Sequence, residues 1–330
     1  MCLVSLALDL NSRFPFVLAA NRDEFTERPT ARMGWWDAPG QPAILSGRDL
    51  RAGGTWLGLT ASGRLALVTN VRNPAREDKS APSRGDIVPL WLKGHKPMQE
   101  LWPQLAMSGY NGFNLIALDF AQGECFWLSN TVNHPKRLER GLYGLSNGVL
   151  DTPWPKVQQL KARTKAAVSE SDSVDDLAMH LFEALADPTM APDDQLPQTG
   201  IPLEWERMLS AAFIRSPDGG YGTRCSTLVI TERIHKRLVT HVMERTYTAG
   251  TRMALLRRVT LKNWPPRHTA TLDDLARLDQ MLPPAALRQE DSFESSDVQE
   301  QDDHALTPPT PRKTRARSLI KNTRTRRTEP

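Results

Sequence analysis

MCLVSLAL (residues 1–8) and FPFVLAANRDE (residues 14–24) read as two β-strands joined by a turn at Asn11–Ser12. In a hairpin of this length the end of the second strand lies beside the start of the first. Asn21, Arg22, Asp23 and Glu24 then gather near Cys2. Four polar or charged residues directly after FVLAA mark either a site or a capped, salt-bridged turn. Cys2 also has two readings. It is a small hydrophobe opening a strand, or a nucleophile carrying its own base.

Outward from this pair the chain repeats the hairpin theme. GGTWLGLTASGRLALVTNVR (53–72) turns at Ala-Ser-Gly, and FNLIALD and ECFWLSN turn at 121–123. RGLYGLSN (140–147) is a further strand, and TRCSTLVITERIHKRLVTHVMERTYT (223–248) is the last hairpin. Helices fall between them. RGDIVPLWLKG follows Ser83, and DTPWPKVQQLKARTKAAV is capped by Asp151 or Thr152. SVDDLAMHLFEALAD is amphipathic. Antiparallel hairpins with interspersed helices predict an α+β sandwich rather than a doubly wound parallel sheet. One domain is expected over 1–268, a short helix over 269–288, and a disordered, charge-segregated tail over 289–330.

Composition narrows the function classes. The 330 residues are 39% hydrophobic and 24% charged, with a net charge of +4. So small an excess does not by itself point to nucleic acid or a membrane surface. The tail holds eight basic and eight acidic residues from 290 onward, so nucleic acid is expected to bind only weakly, through its basic end. Three widely spaced cysteines, Cys2, Cys125 and Cys225, suit a reducing compartment and make no disulfide framework. No CxxC or Cys/His cluster suggests a metal. The six apolar residues before Asp9 lack a basic flank, and no apolar run approaches 18 residues. The expectation is a cytoplasmic protein with no membrane span and a small-molecule ligand. Oligomeric state has no signal in the sequence.

The chemistry centres on Cys2. Methionine removal, favoured by the small second residue, frees an α-amine with a pKa of roughly 7.7–8.0. That amine can take the thiol proton without a histidine. Asp23 can orient the amine. Asn70 and Asn147 each end a strand, where a neutral amide serves as an oxyanion donor or as an ordinary turn residue. Arg224 opens a buried strand, and a buried charge needs a partner or a ligand. Asn21, Arg22, Glu24, Trp56 and Arg72 are candidates for holding the substrate. GGTWLG lacks the pattern of a phosphate loop.

In order, MCL, AANRDE, GRD, GGTWLG, TNVRNP, SRG, YNGFNL, YGLSN, LDTPWPK and GTRCST resemble the NRDE family, the transport and Golgi organisation type 2 proteins. The resemblance covers residues 1 to about 262. It implies an N-terminal-nucleophile hydrolase-like fold of four αββα layers, similar to choloylglycine hydrolases and penicillin V acylases. Those enzymes use an N-terminal cysteine, an Arg-x-x-Asp step, two asparagines and a late arginine. By resemblance these roles fall on Cys2, Asp23, Asn70, Asn147 and Arg224. One position departs: Ala20 stands where the acylase arginine would be. Arg22 can share a site with Asp23 only if a bulge or turn intervenes, because strand neighbours face opposite ways.

Two functions follow as expectations. One is an amidohydrolase that cleaves a non-peptide C–N bond through Cys2 and needs no cofactor. The other is a non-catalytic carrier of haem or an acyl-CoA or lipid ligand in the same pocket, a reading the family's association with haem and lipid trafficking suggests.

Overall fold

The computed structural model describes residues 2–266, apart from 39, 133 and 249–252. The helix expected over 269–288, the tail over 289–330 and the processing of Met1 lie outside the described residues.

β1 (Cys2–Leu8) and β2 (Phe16–Phe25) form the expected antiparallel hairpin, with Leu6 opposite Leu18. Its connection is wider than a two-residue turn and runs over 9–15. Asp9 adopts a left-handed φ of 51°, and the Asn11 side-chain carbonyl accepts from the Arg13 and Phe14 backbone N–H groups. An asparagine closing on the backbone ahead of it makes its own turn, and that widens the loop.

Next come β3 (Thr30–Ala38), β4 (Gln41–Asp49), β5 (Leu57–Thr60) and β6 (Arg64–Asn70). Helices α1 (Ile87–Lys93) and α2 (Met98–Ala106) precede β7 (Phe113–Asp119), β8 (Glu124–Ser129), β9 (Lys136–Arg137) and β10 (Gly141–Leu145). Then follow α3 (Pro155–Glu170), α4 (Val174–Leu185), α5 (Leu203–Leu209), β11 (Tyr221–Ile234), β12 (Arg237–Tyr247) and β13 (Met253–Lys262).

Six of these elements were not anticipated, among them β9, which is only two residues long. In β3 and β4 two register shifts, near Ala31/Gly34 and Trp36/Ala38, break the period-2 pattern that would reveal a strand. Helix α2 carries Pro103 inside it, α5 is only seven residues long, and β13 is a sheet edge rich in exposed residues. Helix α3 also starts later than its expected cap. Trp154 is the cap residue and Pro155 takes the first turn, where proline's missing N–H costs nothing.

Among the described residues all strand pairings are antiparallel and make two sheets. The first runs β10-β1-β2-β11-β12-β13 and the second runs β3-β4-β5-β6-β7-β8-β9. Side-chain parity sorts the residues into layers. Val4, Leu6 and Leu18 meet Leu45, Leu59 and Leu65 between the sheets. Leu3, Val17 and Ala19 face the other way, onto Leu160, Leu177 and Leu181 of α3 and α4. Ala66, Leu115 and Leu128 pack under Ile87 and Trp91 of α1. The order is therefore helices, sheet, sheet, helices: the αββα sandwich. A strand buried on both faces needs apolar residues at both parities, which is why MCLVSLAL barely alternates.

Cys125 sits in the inter-sheet core, where burial pushes its thiol from 9.0 up to about 12. The unfolded chain ionises this group near pH 9 while the folded chain keeps it protonated. Its stabilising contribution is complete below pH 9 and is lost as pH rises toward 12, at about 1.4 kcal/mol per pH unit. Cys125→Ala should therefore flatten the alkaline fall in the urea midpoint between about pH 9 and about pH 11. An equally steep fall in the variant would refute this source of alkaline instability.

Candidate functional site

The β1–β2 register pairs Cys2 with Arg22. Cross-strand partners share a face, so the thiol and the guanidinium both point between the sheets. Asp23 lies one position further along β2, past the start of β1. Opposite it, β11 carries a register shift: Thr223 pairs with Asp23, Cys225 pairs with Arg22, and Arg224 is the extra residue. The bulge lies in β11, not between Arg22 and Asp23, which stay consecutive on β2; both nonetheless border one cavity, at the open end of the strand. Arg22, not a residue at position 20, is the arginine beside the thiol.

This cavity holds about 350 Å³. Cys2, Arg22, Asp23, Glu24, Trp56 and Asn70 line it, and Arg28, Lys79 and Arg84 together with Asp49, Glu77 and Asp78 bring charge of both signs to its walls. The Arg22 guanidinium stacks 4.4 Å from the Trp56 ring centroid. It lies 3.7 Å from Asp49 and 3.9 Å from Glu24. Arg22 is therefore fixed by a ring and two carboxylates, with its side chain only 5% exposed.

The two asparagines take different parts. Asn70 lines the Cys2 cavity and also a neighbouring one of about 800 Å³. Asn147 is buried and braces it: Nδ2 donates to the Asn70 carbonyl at 2.8 Å, and the Asn147 carbonyl accepts from Arg72 N at 2.7 Å. Ser146 Oγ donates to the Cys2 carbonyl at 3.0 Å. The end of β10 therefore ties the start of β1 to the end of β6, across the two sheets.

Three candidates lie elsewhere. Asn21 faces the helices, where Nδ2 donates to the Leu185 and Ala212 carbonyls at 2.8 Å each and Oδ1 accepts from Ser226. Arg224 borders a different cavity, with Thr26, Trp56 and Tyr247. Its Nη1 donates to the Phe25 and Thr26 carbonyls at 2.8 Å, which clasps the turn after β2. Arg72 is buried, bonds Glu206 at 2.6 Å, stacks on Trp154 and borders the neighbouring cavity.

Electrostatics follows from burial. Burial pushes the Cys2 thiol up, and Asp23 and Glu24 add to this, while the terminal ammonium and Arg22 oppose it. Burial also raises Asp23, against the terminal ammonium, Lys156, a 2.7 Å hydrogen bond from Thr223 Oγ1, and Arg22. Lys156 is pulled down to about 8, again chiefly by burial. Lys156, Arg84 and Glu206 were not picked out as site residues. Lys156 and Arg84 sit in the motifs LDTPWPK and SRG, and a charged residue within each such motif is the signal that marks them.

Among the described residues no group of three or more His, Cys, Asp or Glu could hold a metal ion. Haem needs an axial ligand or an apolar cleft, and Cys2 is the candidate ligand at this cavity. The Cys2 cavity is walled mostly by charged and polar groups, so it offers haem that thiol but no apolar cleft. No helix among the described residues is long and apolar enough to cross a membrane.

A family model, Transport and Golgi organisation 2, matches residues 1–249. The Transport and Golgi organization protein 2 homologs of Bos taurus and Homo sapiens are 33% and 34% identical over 252 residues, covering 70% of this chain and 89% of theirs. The Drosophila melanogaster protein is 28% identical over 269 residues, covering 75% and 93%. Among solved structures, a mutant conjugated bile acid hydrolase from Clostridium perfringens aligns with a TM-score of 0.43 at 8% identity, covering 82% of this chain and 99% of that one. A Caenorhabditis elegans N-acylethanolamine-hydrolyzing acid amidase ortholog aligns with a TM-score of 0.38 at 12% identity, covering 69% and 92%. With its matched span running from the nucleophile candidate to the end of β12, the chain belongs to the Transport and Golgi organisation 2 family.

Proposed function

We propose that this protein is an N-terminal-cysteine amidohydrolase acting on a non-peptide C–N bond. The observation that carries the reading is the Cys2–Arg22 pairing. It sets a thiol at the start of a strand, facing a polar cavity, with Asp23 one position past that start. Once Met1 is removed, the Cys2 α-amine takes the thiol proton and Asp23 holds the resulting ammonium. The thiolate sulfur attacks the substrate carbonyl carbon. Asn70 Nδ2 donates to the oxyanion that forms, and Asn147 fixes Asn70 from behind. The C–N bond then breaks, the ammonium proton passes to the leaving amine, and water hydrolyses the thioester. Arg22 offers its charge to an anionic group of the substrate. The same proposal places the chain in the cytoplasm, in keeping with its three unpaired cysteines.

Intact-mass measurement and peptide-resolved acylation test this together. The expected result is loss of Met1 and labelling of Cys2 well ahead of Cys125 and Cys225. Retention of Met1 removes the base and sinks the reading, as does equal labelling of the three thiols.

A second reading, a carrier of an acyl-thioester ligand, draws on the larger neighbouring cavity. Asn70 and Arg84 border both spaces, while Tyr110, Ile201 and Trp205 give the larger one apolar wall. Saturable binding of an acyl-CoA with no thioester formed at Cys2 would favour it.

A further inference from the structure

Lys156 is the second residue of α3 and is 3% exposed, on the helix side of the first sheet. Its Nζ donates to the Leu209 carbonyl at 2.7 Å. Asp23 lies two residues beyond Asn21 on β2 and so shares its face, the one the helices cover. With Arg72 from the loop after β6, Glu206 from α5 and, through the sheet, Cys2, it supplies the charges that act on Lys156. Tyr221 of β11 faces the same group of residues, and burial raises it well above its ordinary value. Two cations and two carboxylates are thus buried together behind the Cys2 cavity. The set is neutral as a whole. Buried charges persist only when balanced, so deleting a cation forces a carboxylate to take up a proton. Glu206 keeps Arg72 at 2.6 Å and two donors from Thr199. Asp23 is therefore the carboxylate that would lose its charge.

We propose that Lys156 is a positioning residue of the Cys2 site, whose ammonium holds the Asp23 carboxylate charged and aimed at the amine that methionine removal frees. This rests on the amidohydrolase reading above. Lys156 acts through Asp23, because α3 packs on the face of the sheet opposite the thiol. A neutral Asp23 could no longer stabilise the ammonium that forms when the amine takes the thiol proton. Thiol activation would then fall at neutral pH and return only where Asp23 ionises again.

The test is the pH profile of iodoacetamide alkylation at Cys2 in the full, Met1-processed chain. Lys156→Met should slow Cys2 about tenfold near pH ~7 and move the rising limb up by about one pH unit. Cys125 and Cys225 should not change. Lys156→Arg, which keeps the charge, should restore the neutral rate to within about threefold. Superimposed profiles for wild type and Lys156→Met overturn the proposal. Uniform slowing with an unmoved limb also overturns it, since that marks lost packing alone. If wild-type Cys2 reacts no faster than Cys125, the amidohydrolase reading falls and takes this proposal with it. If wild-type Cys2 is fast and the profiles coincide, only this proposal falls. Should Lys156→Met not fold, carboxyl-labelled wild type decides by carbon NMR: Asp23 charged near pH ~7 supports the proposal, and Asp23 protonated there overturns it.

Discussion

Cys2→Ala should abolish covalent capture of acylating probes at the chain start and lower amide turnover by about 10⁴-fold or more, the scale on which deleting a nucleophile acts when the catalytic groups work as a unit. The fold should survive. The side chain is small, it stands at the open end of β1, and Ser146 ties the strand through the Cys2 carbonyl, which alanine keeps. Cys2→Ser tests the thiol more finely. It preserves size and the α-amine but offers a hydroxyl far harder to deprotonate, so loss of capture with an unchanged melting curve isolates sulfur as the reactive atom. Cys225→Ser is the internal control. Cys2 and Cys225 both pair with Arg22, one on each side. Two strand spacings put their backbones roughly 9–10 Å apart. That is beyond the reach of a disulfide, so oxidation between them does not confound the comparison. Burial raises Cys225 well above its ordinary value, and it has no amine of its own, so its loss should leave turnover unchanged. Turnover that persists in Cys2→Ala would place the chemistry elsewhere.

The hairpin and the gathering at its end were legible because they depend on local order alone. A strand that starts at Cys2 and a partner that ends in NRDE must bring those residues together. Which of them face the cavity was not legible, since parity depends on register, and register depends on a loop that came out at 9–15 instead of two residues. Arg224 shows a second limit. From the sequence it opens a buried strand and calls for a partner. The bulge makes it the extra residue, and its guanidinium donates to backbone carbonyls beside a different cavity from that of Cys2. The doubt raised by Ala20 came from counting along one strand, whereas the arginine beside the thiol is fixed across two. Lys156 was legible only as a helix residue. Its importance arises from long-range packing: α3 lies on β1 and β10, and the Lys156 ammonium reaches the Leu209 carbonyl of α5, which no local pattern encodes.

Asn21→Ala should be among the most destabilising single changes in the protein, at about 3 kcal/mol or more. Three partners depend on this amide: the Leu185 carbonyl at the end of α4, the Ala212 carbonyl before β11, and the Ser226 hydroxyl. All four groups are buried, so water cannot replace what alanine removes. The Ser226 hydroxyl keeps Tyr247 at 3.1 Å, so the cost falls on the two carbonyls, about 1–3 kcal/mol each without full additivity. For a domain of this size the melting temperature should drop by roughly 6–12 °C. Asn21→Asp is no rescue. A charged carboxylate would face two carbonyls across a buried gap, and a protonated one could donate to only one of them. Below the transition, however, Cys2 alkylation in Asn21→Ala should stay within about threefold of wild type, because residue 21 points to the helices and the thiol to the cavity. The consecutive letters of NRDE would then divide by face: Asn21 holds the helical layer on, while Arg22 shares the cavity with the thiol. An Asn21→Ala protein that melts like wild type yet loses Cys2 labelling would reverse that division and put residue 21 in the site.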